Sequence, residues 1–302
     1  MTRSRLFNLN FASCFLLLIF LSCSKPNNAV FGPPGVLTIP YTPPLPAQSF
    51  FDISYGSDPF QKMDLYLPKD RNVDHTPMLI MVHGGQWFAG DKSEMEGYHI
   101  WLKDQLPEWA FANINYRLVE SNANKFPAQE QDVEKAVNFI IAMADSFRIS
   151  KKKIAVLGES AGGQLALLVA NKMGKQKIKV AVGISVPSNV EDWYENATNP
   201  IVRPLLELVT GGTPDQLPLV YQNANVFRFI SINSPKTFLV HGKIDGVVSY
   251  NQSVALADKI NSSGPEASLL LIENETHNFT AAGQTAAYNG IISFLKDPNL
   301  FR

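Results

Sequence analysis

The run Ile154-Ala155-Val156-Leu157-Gly158-Glu159-Ser160-Ala161-Gly162-Gly163 reads as a buried strand that turns sharply into a helix. The first four residues are continuously apolar, as in a strand covered on both faces. Gly158-Glu159-Ser160-Ala161-Gly162 then matches Gly-x-Ser-x-Gly. A nucleophilic serine needs its hydroxyl pushed out at the tip of such a turn, and small residues two positions away on each side permit it. The five-residue pattern alone is weak. Its place between a strand and the helical run Leu165, Leu167, Leu168 is the context the chemistry requires.

Three further segments have the same strand-then-loop character. Residues 78–82 lead into His83-Gly84-Gly85-Gln86-Trp87, where glycines let backbone N–H groups approach a substrate closely. Such groups are an effective way to stabilise the negative charge that acyl transfer develops on a carbonyl oxygen. His83 suits a structural place in this loop better than a role as base. Val240-His241-Gly242-Lys243-Ile244-Asp245 ends a second strand, and Glu275-Thr276-His277-Asn278-Phe279 follows the last one. Read singly, Asp245 suits a turn and His277 a solvated loop. Together with the elbow they supply a base to take the serine proton and a carboxylate to orient and stabilise that base. The candidate nucleophile, acid and base are therefore Ser160, Asp245 and His277, in that chain order.

The rest of the chain alternates in the same way. Residues 50–55 and 61–67 flank Gly56-Ser57-Asp58-Pro59 and predict an antiparallel hairpin. Short apolar runs at 110–116, 180–184, 237–240 and 268–272 predict further strands. Val133, Ala136, Val137, Ile140, Ala144 and Phe147 share one helical face, and helices are expected at 251–260 and 282–295. The pattern predicts one α/β domain over 49–302: a mostly parallel sheet with antiparallel N-terminal strands and helices on both faces. Residues 187–232 interrupt the alternation and read as a cap or lid insertion, with an ordinary crossover carrying extra helices as the alternative. Thr213-Pro214-Asp215-Gln216 reads as a helix start within it.

Charge is nearly balanced, with 26 Lys and Arg against 27 Asp and Glu for a net of -1, which argues against nucleic acid as a partner. The two cysteines, Cys14 and Cys23, exclude a disulfide scaffold or Cys-ligated zinc in everything that follows. Arg3 and Arg5 precede an apolar stretch shorter than a membrane span and of signal-peptide size. It ends Phe20-Leu21-Ser22-Cys23, which resembles a bacterial lipobox although Phe20 stands where leucine is usual. Residues 1–22 are thus expected to be a lipoprotein signal peptide and Cys23 the lipid attachment site, with an ordinary cleaved signal or uncleaved anchor as the alternative. Seven prolines between Ser24 and Gln48 predict an extended tether over 23–48. The expected location is the periplasmic side of a membrane, reached by lipid-anchored export.

From about residue 50 to 295 the sequence resembles an α/β-hydrolase of the esterase and lipase superfamily, nearest to its bacterial carboxylesterase or feruloyl-esterase-like branch. The resemblance is carried by His83-Gly84-Gly85-Gln86-Trp87 with Gly90-Asp91-Lys92, by Asn115-Tyr116-Arg117-Leu118, by Phe126-Pro127-Ala128-Gln129, and by the serine elbow. It implies a serine esterase without metal or organic cofactor, with oxyanion donors at the backbone N–H groups of Gly85, Gln86 and Ala161. It also implies that Arg117 is structural and pairs with an acid, for which Asp132 is the candidate. Many relatives carry a third glycine where this chain has Gln86. Trp87 and Trp193 are candidate substrate-binding residues. The substrates expected are small-molecule or oligosaccharide esters with short acyl or hydroxycinnamoyl groups. An arylformamidase-type amidase and a non-catalytic glycan-binding lipoprotein on the same scaffold are the alternatives.

Overall fold

A computed structural model describes residues Pro44–Arg302. The segment expected to be a signal peptide, Cys23 and most of the expected tether lie outside the described residues.

Eight strands form one sheet: β1 (Gln48–Ser54), β2 (Lys62–Leu67), β3 (Met78–Val82), β4 (Ala110–Ile114), β5 (Ile154–Glu159), β6 (Val180–Ile184), β7 (Lys236–Gly242) and β8 (Ala267–Ile272). Their spatial order is β1-β2-β4-β3-β5-β6-β7-β8. Strands β1 and β2 form the expected antiparallel hairpin, and β2 runs antiparallel to β4. All later pairings are parallel. The chain thus starts at one edge, enters the middle through β3, and works outward to β8. That order puts the loops after β3, β5, β7 and β8 along one end of the sheet.

Strand alternation divides the core into two layers. Met78, Ile80, Val82, Ile154 and Val156 face helices α2 (Ala128–Phe147), α3 (Ala161–Met173) and α7 (Asn251–Ser262). Leu79, Met81, Ala155 and Leu157 face α1 (Glu96–Gln105) and α8 (Ala281–Leu295). Central strands are buried on both faces, which is why they read as unbroken apolar runs. Helix α3 is buried from Ala161 through Asn171, so the helix behind the elbow is apolar nearly all round. Helix α1 was not apparent from periodicity, because only Tyr98, His99 and Leu102 of its ten residues are buried.

The insertion folds as α4 (Val190–Glu195), α5 (Val202–Thr210) and α6 (Pro218–Ala224), followed by a 3-10 turn at Val226–Phe229. Its apolar residues Val190, Leu205, Leu206, Val209 and Tyr221 join the same core layer as α2 and α3. The helix expected from Thr213 begins instead at Pro218. The reciprocal cap is present, with Thr213 N–H donating to Gln216 Oε1 at 3.1 Å and Gln216 N–H to Thr213 Oγ1 at 3.3 Å. It closes a single turn, because Leu217 precedes a proline and is held outside the helical region, at φ -131° and ψ 54°.

Candidate active site

Ser160 ends the turn after β5 at φ 51° and ψ -120°, a conformation that is costly for any residue with a Cβ. The surrounding contacts enforce it. Ser160 N–H donates to Ile184 O at 2.8 Å, and Gln164 N–H donates to Ser160 O at 3.0 Å. A Cβ on Gly158 would meet Gly162 O at 2.3 Å, and one on Gly162 would meet His83 O at 2.1 Å. The first glycine lets the turn close, and the second lets the loop after β3 lie directly against the elbow.

Around this serine the three candidate residues meet. Ser160 Oγ–H donates to His277 Nε2 at 2.9 Å, and His277 Nδ1–H donates to Asp245 Oδ2 at 2.7 Å. Those proton positions are assigned from the partners, since an ionised carboxylate only accepts. The Asp245 side chain is fully buried, while that of His277 keeps 16% exposure towards solvent. Burial opposes ionisation of Asp245. Hydrogen bonds from His241, His277 and the Val248 N–H outweigh it and hold the carboxyl well below the usual carboxylate range.

The loop after β3 contributes donors without acceptors. Gly85, Gln86 and Trp87 occupy three consecutive positive φ values of 94°, 57° and 64°. Among the described residues, the N–H groups of Gly85, Gln86 and Ala161 have no protein acceptor. Ala161 opens helix α3, so its N–H also carries the positive end of that helix. His83 is a structural member of the loop. Its ring is buried, stacks on Tyr116 at 4.3 Å, and donates through Nδ1 to Gly84 O at 2.9 Å. Burial lowers its affinity for a proton. Asp91 accepts from Asn115 Nδ2 at 2.8 Å, and Lys92 pairs with Asp64 at 2.9 Å, tying the loop back to the neighbouring strands. Arg117 meets Asp132 through two nitrogens at 2.7 and 2.8 Å, so Asp132 is the acid partner expected for it.

Neither tryptophan singled out in the sequence presents its ring as a binding face. Trp87 is 2% exposed and spends its indole N–H on Gln164 Oε1 at 3.1 Å. Gln164 in turn donates to Ala224 O at 2.7 Å, so the pair joins the loop after β3 to the insertion. Trp193 is buried and donates to Val247 O at 3.1 Å, bracing the acid loop. Both rings are held because a buried indole N–H needs an acceptor and a large ring fills core volume. Gln86 is the exposed residue of that loop. A small apolar cavity of about 10 Å³ is lined by Trp87, Phe126, Gln164, Val190, Leu206 and Val209, and neither Ser160 nor His277 borders it.

Two residues beside the triad escaped the sequence reading. His241 touches Asp245, and Glu159 accepts from Tyr98 Oη at 3.0 Å directly beside the serine. Both stand within motifs read for other residues. Their partners come from elements that are distant in the sequence, so no local pattern marks them.

Residues 63–260 match the BD-FAE family, two thirds of the whole chain. The chain belongs to the BD-FAE family. Among curated proteins it is similar to the esterase LipC of Mycobacterium tuberculosis, 26% identical over 240 residues, which cover 75% of this chain and 59% of LipC. The chain therefore spans between half and two thirds of the curated relatives it matches first. Among solved structures, a truncated carbohydrate esterase from gut microbiota superposes with a TM-score of 0.71 at 21% identity, covering 83% of this chain and 95% of that one. An acetyl ester-xyloside bifunctional hydrolase from Caldicellulosiruptor lactoaceticus superposes at 0.64 and 20% identity, covering 78% and 86%. These likenesses establish the α/β-hydrolase fold for this BD-FAE member.

Proposed function

We propose that this BD-FAE member is a serine carboxylic-ester hydrolase that works through an acyl-enzyme. The observation that carries the proposal is the hydrogen-bonded chain Ser160–His277–Asp245, at 2.9 and 2.7 Å, with the serine on a strained elbow. His277 Nε2 takes the Ser160 proton as Oγ attacks the ester carbonyl carbon. The resulting oxyanion is received by the N–H groups of Gly85, Gln86 and Ala161, which require no reorganisation. His277 then gives its proton to the leaving alcohol, and the acyl group remains on Ser160. Water, deprotonated by the same imidazole, attacks the acyl-enzyme and returns the serine. Asp245 stabilises the imidazolium at each transfer.

The substrates proposed are short-acyl or hydroxycinnamoyl esters, including acylated sugars. The likeness to the two carbohydrate-directed structures supports a sugar alcohol. The N-terminal segment is proposed to export the enzyme as a lipoprotein held on the periplasmic side of a membrane through Cys23.

The test is reaction with a fluorophosphonate probe, followed by hydrolysis of acetyl, butyryl, feruloyl and long-chain esters and of an aryl formamide. Wild type should label once and Ser160→Ala not at all. An unlabelled, inactive wild type would instead identify a binding module. Catalytic efficiency that rises with chain length to sixteen carbons would identify a lipase, and a preference for the formamide would identify an amidase.

A further inference from the structure

Asp245 Oδ2 serves two histidines. His277 Nδ1 lies 2.7 Å from it and His241 Nε2 lies 3.1 Å from it, while Oδ1 accepts from the Val247 and Val248 N–H groups at 2.8 and 2.9 Å. His241 is the last residue but one of β7, and its side chain is fully buried. Its own protonation follows from its neighbours. Both partners of Nε2, Asp245 Oδ2 and Val248 O at 3.0 Å, only accept, so Nε2 must carry a proton. Nδ1 faces Ser253 Oγ of α7 at 2.7 Å, and a hydroxyl can donate to it. With the proton on Nε2 and the Ser253 hydroxyl donating to Nδ1, every contact of the ring is satisfied.

We infer that His241 is a positioning residue for the acid: with Ser253 holding its tautomer, it orients the Asp245 carboxylate so that Oδ2 presents its remaining lone pair to His277. The inference rests on the serine-hydrolase reading of the site. A carboxylate oxygen has two lone-pair directions in its plane, and each ring occupies one. His241 draws hydrogen-bonding capacity from the same oxygen, which tempers the pull of Asp245 on the His277 proton. It touches neither substrate nor serine. The next residue shows why the sequence is His-Gly here, since a Cβ on Gly242 would lie 2.4 Å from Glu275 O and 2.7 Å from Thr276 O. The glycine lets the base loop pack against the strand end that carries His241. The ionisable groups facing the two histidines are Asp245 between them, Glu159 towards His277, and Glu275 of the base loop, whose carboxylate is bound to Thr280. The α7 contact, Ser253, carries no charge.

The experiment compares His241→Leu, His241→Gln and Ser253→Ala with wild type for kcat, KM and the pH profile of kcat/KM on an acetyl ester. Glutamine places an amide N–H near the position of Nε2, whereas leucine removes the donor. His241→Leu should lower kcat by about tenfold, less than the ~10²–10⁴-fold that outright loss of general base catalysis costs, because His277 keeps its carboxylate partner. KM should stay within about twofold, and the acid limb of the profile should move to higher pH, because the freed carboxylate holds the His277 proton more tightly. His241→Gln should recover most of kcat and restore the limb. Ser253→Ala should lie between wild type and His241→Leu, and provides the comparison if the leucine variant does not fold. Wild-type kcat and pH profile in folded His241→Leu or, failing that, in Ser253→Ala would overturn the inference. Equal losses in the leucine and glutamine variants, tracking their thermal stability, would also overturn it. A wild type that does not react with the fluorophosphonate probe would overturn the serine-hydrolase reading instead.

Discussion

Trp193 donates its indole N–H to the carbonyl of Val247, 54 positions away, at 3.1 Å. Val248 N–H, in the same peptide unit as that carbonyl, donates to Asp245 Oδ1 at 2.9 Å, so the insertion reaches Asp245 through one peptide unit. Trp193→Phe keeps most of the ring and loses the donor. The expected cost is about 1 kcal/mol of stability, the net value of one hydrogen bond. The kcat value should fall with KM unchanged, as Asp245 loses its brace. Thermal melts and steady-state kinetics check this, and a raised KM at constant kcat would show that Trp193 contacts substrate.

Asp245→Asn should leave substrate binding intact and lower kcat by about 10⁴-fold, since an amide cannot stabilise the imidazolium and selects the wrong tautomer. The native Asp245 carboxyl is held well below the usual range, so its contribution to stability is present above the unfolded carboxylate value. That contribution is lost only as pH falls through the depressed folded value. Loss of activity between pH 7 and 5 should therefore not follow protonation of Asp245. Infrared detection of the carboxylate across that range, alongside kcat, tests the point.

Gly162→Ala would place a Cβ 2.1 Å from His83 O and 2.3 Å from Val82 O. Backbone, not a flexible side-chain end, would have to move. A destabilisation of about 3 kcal/mol is expected from overpacking. Displacing the oxyanion loop by about 1 Å should cost about 10²-fold in kcat even in the folded protein. Denaturant titration and kinetics on the same sample separate the two effects.

Burial pushes the Glu159 carboxyl up, against the opposing pull of the Tyr98 hydroxyl and of positive charge on His277. A carboxyl with a raised folded value contributes stability that is complete below its unfolded value and is lost as pH rises through the folded one. Glu159→Gln cannot ionise and escapes that loss. Its melting temperature relative to wild type should therefore climb between pH 4 and pH 7. The kcat value at pH 7 should fall, by about two- to tenfold, because the carboxylate no longer favours the imidazolium. Melting curves at the two pH values and kcat at pH 7 provide the check. A stability difference that shrinks with rising pH would contradict the assignment.

Cys23→Ser should release the protein from membranes or leave it unprocessed. One acyl chain, at about 0.8 kcal/mol per buried methylene, binds only marginally, so anchoring needs several chains on Cys23. Fractionation with metabolic lipid labelling tests this, and label that persists in the variant would place the lipid elsewhere.

Much of the fold was legible because its signals are local. Central strands such as Met78–Val82 and Val180–Ile184 are buried on both faces, and continuous apolar runs of their length mark them out. The elbow at Ser160 and the chain order of serine, acid and base followed from turn chemistry and from the loops that end strands. Helix α1 stayed hidden because its buried residues are few and mixed in polarity. What tertiary structure alone decided was which side chains share a partner. Both His241 and His277 stand near acid and base motifs, and only the pairing of β7 with β8 brings both rings to one oxygen of Asp245. Nothing local in the sequence separates a substrate-facing role for Trp87 and Trp193 from a packing one, and the insertion packing against α3 and the Asp245 loop made them braces. The physical reason is range. Periodicity and turn preferences act over a few residues, whereas Ser160 and His277 are 117 positions apart and meet only because the sheet order sets their loops side by side.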